Sequence, residues 1–370
     1  MKLRGKPLPD SALLLSLIGL LSFGLLAFSS ASLGLFAREG TTVSSIVANH
    51  FIFGLGLGAI AFFICAVVPY KFWHGTAPYL YVAALALTAL VFVPGLGMEH
   101  GGSLRWLDLG PFSLQPSEAL KIGLIMVLAA YFTAIRNRIT GWQYGLGGFV
   151  LIITLPSVLL LLQPDHGTLG VLLITAGVMF VAAGAPLKQI AALAVTGVLV
   201  FAFAFTTQDY VRERVMTFLY PARDPGDASY QIQQSLLALG SGELTGRGLG
   251  RSIQKFQYLP EPVGDSIFAV VGEEFGFVGT VLLVILFTVF LIRGFSVGIR
   301  APDYFGGLLA VGIVSYIAAQ SFLNMAAMLS LVPLTGIPLV FMSQGGTALF
   351  VALGGVGILI NISRHSNRVR

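Results

Sequence analysis

Long apolar runs, broken by short polar punctuation, organise this chain. Runs close to the roughly 20 residues that cross a bilayer as helix fall at about 11–31, 50–69, 77–95, 117–135, 144–162, 167–184, 189–206, 267–292, 304–330 and 337–361. The pattern predicts an all-α, polytopic membrane protein with about ten transmembrane helices. The first run follows Lys2, Arg4 and Lys6 but exceeds the roughly 7–15 apolar residues of a signal peptide, so it is read as the first helix. No repeat with a period of about 20–50 residues is visible. No stretch between the runs is long enough to fold alone, so residues 1–370 are read as one membrane domain.

Composition agrees and removes alternatives. Hydrophobic side chains make up 56% of the chain and charged ones 10%, where a soluble domain carries roughly a quarter charged residues. The 45 glycines also suit membrane helices, in which Gly is frequent. A net charge of +5 would point to nucleic acid in a soluble protein. Here the bases sort to one side of the alternating runs instead. With the N-terminus in the cytoplasm, Lys2, Arg4, Lys6, Lys71, Arg136, Arg138, Lys188, Arg293, Arg300, Arg364, Arg368 and Arg370 all fall inside, as the positive-inside bias requires. Both termini are therefore predicted to be cytoplasmic, and no nucleic-acid partner is implied. The single cysteine, Cys65, lies in an apolar run and offers neither a disulfide within the chain nor a thiolate metal cluster.

Two segments on the opposite face break the apolar monotony. Residues 207–265, between the seventh and eighth runs, hold Asp209, Glu213, Asp224, Asp227, Glu243, Glu261 and Asp265 beside Arg212, Arg214, Arg223, Arg247, Arg251 and Lys255. Roughly a third of the chain's charges thus sit in about a sixth of its length, which predicts a large extracytoplasmic loop. Residues 96–116 form a second loop, whose Trp106 and Phe112 suit a segment lying in the interface.

Candidate chemistry follows from ionisable residues in or beside spans, which cost roughly 2.5–3.5 kcal/mol each at the bilayer centre and so pair or face a cavity. Glu118 and Lys121, at i and i+3, share a helix face; they form either a self-contained ion pair or part of a polar cavity. Ser117, after Pro116, reads as the N-cap of that helix. Asp265 opens the eighth run after the turn-rich LPEPVG. It reads either as a helix cap worth about 1 kcal/mol or as a carboxylate at the membrane surface whose desolvation raises its pKa towards that of a general base. Glu273 and Glu274 lie two turns deeper, about 100° apart on the helix, and are expected to include a buried carboxylate paired with an Arg of the loop. The run GSGELTGRGLG at 240–250 lacks the Gly-Lys-Ser/Thr ending and preceding strand of a nucleotide loop. Its amides still suit an anion nest, with Arg247, Arg251 and Lys255 as further donors; a plain solvated loop explains it as well. QPDHGT at 163–168 is mostly turn chemistry, and the scattered histidines have no metal-ligand spacing.

Four motifs in order then carry a resemblance: GGSLRWLDLGPFSLQPSEALKIG (101–123), QPDHGT (163–168), the glycine run leading to SIQKFQYLPEPVGDSIFAVVGEEFGFVG (252–279), and LVPLTGIPLVFMSQGGTAL (331–349). Over essentially its whole length the chain resembles the SEDS family (shape, elongation, division and sporulation), which includes FtsW, RodA and SpoVE; GLGRSIQKFQYLPE leans towards FtsW. The resemblance implies a ten-helix peptidoglycan glycosyltransferase of the cytoplasmic (inner) membrane that polymerises lipid II on its outer face. It implies a class B penicillin-binding protein transpeptidase as partner and no prosthetic group, with a divalent cation allowed beside pyrophosphate. The family's essential carboxylate falls on Asp265, its Glu and Lys on Glu118 and Lys121, and its Arg-Trp on Arg105 and Trp106. Members commonly read His-Thr-Asp where this chain has Val263-Gly264-Asp265, and Ser-Tyr-Gly-Gly-Ser where it has Ser343-Gln344-Gly345-Gly346-Thr347. A histidine is thus no required part of the base here.

The implied reaction joins the C4 hydroxyl of an acceptor GlcNAc to the anomeric carbon of a donor MurNAc with inversion, expelling undecaprenyl pyrophosphate. Asp265 is the expected base, while Arg105, Lys121, Arg212, Arg214, Arg247, Arg251 and Lys255 are the candidate cations for the departing charge. Glu118 is expected to orient Lys121 or Asp265. Two other readings compete: a lipid II transporter, since many helices with buried charges also describe carriers, and a noncatalytic scaffold, which predicts that Asp265→Ala is tolerated. A long charged loop on one face and the lack of an evident inverted repeat favour one-sided chemistry.

Overall fold

The computed structural model describes residues 9–39, 47–100, 103–108, 110, 113–220 and 227–366. Lys2, Arg4, Lys6, Phe112, Arg223, Asp224, Arg368 and Arg370 lie outside the described residues. Thirteen helices and one small sheet follow in chain order: α1 Ser11–Glu39, α2 Asn49–Val67, α3 Lys71–Phe92, β1 Gly97–His100, β2 Ser103–Asp108, β3 Ser113–Leu114, α4 Pro116–Ala134, α5 Gln143–Leu162, α6 His166–Ala182, α7 Leu187–Thr207, α8 Asp209–Leu219, α9 Asp227–Ser241, α10 Gln254–Gln257, α11 Ile267–Ile299, α12 Tyr304–Met328 and α13 Gly346–His365. Nine of these, α1 to α5, α7 and α11 to α13, are long and apolar enough to cross a membrane, and α6 is a shorter apolar helix. Together they match the ten predicted runs one for one.

A helix in lipid must satisfy its own backbone polar groups and gains little from apolar burial against neighbours, so close packing through small residues takes over. The contact of α2 with α13 follows this rule: Gly54 lies against Gly346, and Gly357 lies against the Phe62 carbonyl and Cys65. The centre of the bundle is α12 and α13, whose apolar windows are the most buried of the spans. By contrast α7 leaves almost its whole apolar surface exposed, as a lipid-facing helix does.

The helices alternate in direction and give the bundle two unlike ends. At one end Arg293 binds Asp10 with both Nη2 (2.6 Å) and Nε (3.2 Å), and the Asp10 amide donates to Ser363 Oγ at 3.3 Å. The start of α1 and the end of α13 therefore lie together. Lys71, near Asp303, and Arg136, stacked over the Tyr304 ring at 4.7 Å, belong to the same end. The other end gathers the sheet, the turn 163–165, the described residues from α8 to residue 266, and a non-helical strap over 331–345 that ends in turns at 340–342.

Four elements depart from the sequence reading. Within the second loop, 96–116, the sequence reading placed no strands, yet residues 97–100, 103–108 and 113–114 form a three-stranded antiparallel sheet in the order β1-β2-β3. The segment 207–265 is not continuous loop, since α8, α9 and α10 fold within it. The last span begins at Gly346 and not at 337, because Pro333, Gly336 and Pro338 keep the apolar strap before it out of a helix. Finally, α4 starts at Pro116 with Gln115 in the capping position and no side-chain cap bond, so Ser117 is not its N-cap.

The eighth predicted run, α11, is broken at Gly276, whose φ of 65° and ψ of −164° leave the helical region. The glycine-rich segment fills the gap. Phe277 and Val278 donate their amides to the carbonyls of Glu243 and Leu244 (2.9 and 3.0 Å), while Arg247 and Gly248 donate to Glu273 and Glu274 (2.9 and 3.0 Å). Backbone groups freed by the kink are thereby paired. The approach is so close that a Cβ on Gly276 would sit 2.3 Å from the Gly246 nitrogen, and one on Gly246 would sit 2.1 Å from the Glu274 carbonyl oxygen. Residues 243–248 are spliced into α11, and the half-helix before Gly276 carries Asp265 just ahead of its first turn.

Candidate active site

Asp265 sits in the turn that leads into α11, not at its cap: Ser266 takes the capping position, and its side chain makes no cap bond. The turn closes on Glu261, whose carbonyl accepts from the Gly264 and Ser266 amides at 3.0 and 3.2 Å. Two neutral amides then hold Asp265 from opposite elements. Gln231 on α9 donates Nε2 to Asp265 Oδ1 and to Ser266 Oγ, both at 2.9 Å. Asn324 on α12 donates Nδ2 to the Asp265 carbonyl at 2.7 Å and to the Ile337 carbonyl at 2.9 Å. Desolvation by burial, followed by the charge of Glu261, pushes the Asp265 carboxyl up to about 7 despite the hydrogen bond from Gln231. A half-buried carboxylate that changes protonation near neutrality is suited to general-base work.

One helical turn from Asn324, Gln320 connects to the intramembrane ion pair. Lys121 Nζ donates to Glu118 Oε1 at 2.8 Å and to Gln320 Oε1 at 2.5 Å, and lies 4.9 Å from the centre of the Tyr316 ring. Gln320 Nε2 donates to the Pro338 carbonyl at 3.1 Å. Glu118, Lys121 and Gln320 are all buried. The pair is thus neither self-contained nor isolated: α12 ties it to the strap and, through Asn324, to Asp265.

Arg105 and Arg214 converge from different elements. Arg105 on β2 donates to the Pro164 carbonyl at 2.7 Å and lies 3.7 Å from Asp165 Oδ1, while Asp165 accepts from the Thr168 amide and caps α6. Arg214 on α8 donates to the Leu334 carbonyl at 2.5 Å. The two regions touch, since Gly167 packs onto the Thr335 carbonyl. The strap also reaches the turn before α11 through the Gln344 amide, which donates to the Val263 carbonyl at 2.6 Å, and the Gln115 amide donates to Thr347 Oγ1 at 3.2 Å. The four ordered sequence motifs therefore meet at one end of the bundle.

The remaining predicted cations are placed differently. Lys255 is fully buried, with Nζ 2.6 Å from Glu274 Oε1 and 2.8 Å from Ser30 Oγ. Arg247 lies 3.6 Å from Glu273 Oε1. Glu273 also accepts from Ser252 Oγ (2.5 Å) and from the Ile253 and Gln254 amides. Both glutamates are buried, so the expected carboxylate paired with a loop arginine is found on Glu273, and a second pair stands beside it. Arg212, exposed on α8, faces Asp209 at 3.5 Å, and Arg251 is exposed. Of the seven candidate cations, Arg105, Arg214 and Lys121 lie among elements that connect to Asp265, whereas Lys255 and Arg247 fasten the glycine-rich segment to α11. A search for ionisable residues missed Gln231, Gln320 and Asn324. The last two carried a legible signal, as amides four residues apart in an apolar helix. Among the described residues no three His, Cys, Asp or Glu side chains gather as a metal site.

Residues 11–368 match the FtsW/RodA/SpoVE family, described as cell cycle proteins. The chain belongs to that family. It is similar to Stage V sporulation protein E of Bacillus subtilis, with 39% identity over 98% of both chains. It is also similar to a probable peptidoglycan glycosyltransferase FtsW of Geobacter sp. (strain M18), with 36% identity over 96% of both. A solved chain from work on structural coordination of polymerization and crosslinking by a peptidoglycan synthase complex superposes with a TM-score of 0.79 and 28% identity, over 97% of this chain and 99% of that one. The crystal structure of Thermus thermophilus RodA gives 0.70 and 27%, over 97% and 98%. The ten apolar helices and the cluster around Asp265 are thus set in a FtsW/RodA/SpoVE-type membrane fold.

Proposed function

We propose that the chain is a peptidoglycan glycosyltransferase of the cytoplasmic membrane that polymerises lipid II, with Asp265 as its general base and a class B penicillin-binding protein transpeptidase as its partner. The observation that carries this reading is Asp265 itself: a carboxylate raised to about 7, clamped by Gln231 and Asn324 at the end of the bundle where all four motifs meet. Family membership and the resemblance to probable peptidoglycan glycosyltransferases support the reaction class. The likeness to a complex that couples polymerization to crosslinking supports the partner. Basic residues concentrated at the opposite end support a cytoplasmic placement of that end, which leaves the site on the outer face.

In this reaction the acceptor C4 hydroxyl gives its proton to Asp265 as its oxygen attacks the donor anomeric carbon, and the bond to undecaprenyl pyrophosphate breaks on the opposite side. A base whose pKa lies near the working pH combines a large deprotonated fraction with useful proton affinity. Pyrophosphate leaves as an anion, so preformed cations reward the transition state more than the ground state. Arg105 and Arg214 are the side chains best placed for that charge, whereas Lys121 is held in its buried pair with Glu118 and connects to the site through Gln320. The lipid tail would lie along the apolar helices, with α7 as the most open wall.

The test is polymerisation of lipid II by the full chain with its transpeptidase partner, resolved as glycan length on a gel. Asp265→Asn is expected to lower the rate by about 10²–10⁴-fold while the protein stays folded and partner-bound. Polymer formed by Asp265→Asn at the wild-type rate removes Asp265 as base. A wild-type complex that forms no polymer favours the transporter or scaffold readings.

A further inference from the structure

Asp265 and the Glu118–Lys121 pair come from distant parts of the chain, and nothing in α4 or α11 alone fixes how they stand to one another. The connection runs through α12. Gln320 and Asn324 are four residues apart, so they stack on one face about 6 Å apart along the axis. Their exposures are 0% and 1%, and a buried amide is tolerated only when hydrogen-bonded. Gln320 is bonded through both its oxygen and its nitrogen, while Asn324 is bonded twice through its nitrogen, its Oδ1 being buried with no hydrogen-bond partner among the described residues. Gln320 receives Lys121 and donates to Pro338, whereas Asn324 donates to both Asp265 and Ile337. The orientations are forced by chemistry: both neighbours of Asn324 are carbonyl oxygens, so it must present its nitrogen, and the ammonium beside Gln320 demands that amide's oxygen.

We propose that Gln320 and Asn324 are positioning residues, a two-rung spacer on α12 that sets Asp265 in register with the Glu118–Lys121 pair and pins the 337–338 strap between them. The proposal rests on the reading of Asp265 as base. The spacer acts through the main chain of Asp265, fixing its carbonyl while Gln231 fixes its carboxylate, so the residue is held at both ends. Removing the Asn324 amide leaves the Asp265 and Ile337 carbonyls without their donor. The turn then rotates to hydrate them, and the carboxylate goes with it. Glu261, in the same turn, is the charged neighbour that raises Asp265, while Gln231 and Asn324, facing it from α9 and α12, are neutral. Lys121 reaches it only through the spacer.

The experiment is the initial rate of lipid II polymerisation against pH and substrate concentration. The full chain with its partner is compared as wild type, Asp265→Asn, Asn324→Ala, Asn324→Ser, Gln320→Leu and Gln320→Glu. A misplacement of about 1 Å costs up to about 10²-fold in rate. Asn324→Ala is therefore expected to lose one to two orders of magnitude in kcat with KM little changed, and to move its acidic limb to lower pH. Asn324→Ser, which keeps a donor for one carbonyl, is expected to recover part of both effects. Gln320→Glu keeps an acceptor for Lys121 and is expected to lose less than Gln320→Leu. If Asp265→Asn is inactive while Asn324→Ala and Asn324→Ser both keep the wild-type kcat and acidic limb, the spacer role is overturned and the base reading stands. If Asp265→Asn remains active, the base reading falls first. Should Asn324→Ala fail to fold, the kcat and limb of Asn324→Ser decide in the same way.

Discussion

Replacing Lys255 with Met separates two accounts of the buried charges below the glycine-rich segment. Both partners of the Lys255–Glu274 pair are 0% exposed, their charged atoms lie 2.6 Å apart, and Ser30 Oγ bridges them at 2.8 and 2.7 Å. Removing only the lysine leaves a buried carboxylate with Ser30 and a long contact from the Ser252 amide, 3.4 Å, as its remaining polar neighbours. Breaking one side of such a pair costs roughly 3–5 kcal/mol, whereas replacing both sides with well-packed neutral groups is often nearly neutral. Lys255→Met should therefore be severe and Lys255→Met/Glu274→Leu much milder, a strongly non-additive cycle. Unfolding of a membrane protein in detergent is read as a rate. If the loss falls wholly on the unfolding barrier, about 3 kcal/mol shortens the half-life of the monodisperse species roughly 150-fold. The assay is that half-life at one fixed temperature for wild type, both single variants and the double. A Lys255→Met half-life within about threefold of wild type, or a double variant as unstable as the two singles combined, would refute the reasoning.

Further consequences follow from other parts of the structure. Gly276→Ala places a side chain in a backbone region that costs about 1–3 kcal/mol for most residues, with its Cβ against the Gly246 amide. It should release 243–248 from α11, read as faster proteolysis of that segment and a lower melting temperature; unchanged protection would contradict the splice. The folded pKa of Asp265, about 7, lies above its ordinary value of 3.8, so the group favours the fold below about pH 4 and withdraws that contribution as pH rises through 7. Asp265→Asn should accordingly gain melting temperature over wild type more at pH 8 than at pH 5, and a difference independent of pH would contradict the burial of the carboxylate. Arg214→Ala should slow polymerisation about 10²-fold without moving the acidic limb, because it meets leaving-group charge and not the base; a full-speed variant would remove it from the site.

What could be read in the sequence depended on how far each feature's cause extends along the chain. The ten spans were legible because lipid imposes the same local requirement on every one of them. The stretch 337–345 reads as the start of the last span because its side chains are largely as apolar as those of a span, and only Pro338 within it and Pro333 and Gly336 just before it mark the difference. The sheet at 97–114 was missed because its strands are too short for alternation to show. Asp265 and the Glu118–Lys121 pair were found because ionisable groups stand out in an apolar sequence. Gln231, Gln320 and Asn324 carry no charge, and what they do depends on carbonyls brought to them by distant segments. Lys255 and Arg247 read as anion ligands in the sequence, but in the fold Glu274 and Glu273 face them, a pairing that depends on the splice at Gly276.

The most direct test of Asp265 as the base is the pH dependence of the initial polymerisation rate for the wild-type complex at saturating lipid II, between pH 5.5 and 8.5. A single ionisation near 7 that must lose its proton predicts a rising limb centred there, with the rate at pH 8 about tenfold that at pH 6. A rate that is flat across this range, or that falls as pH rises, would contradict the assignment.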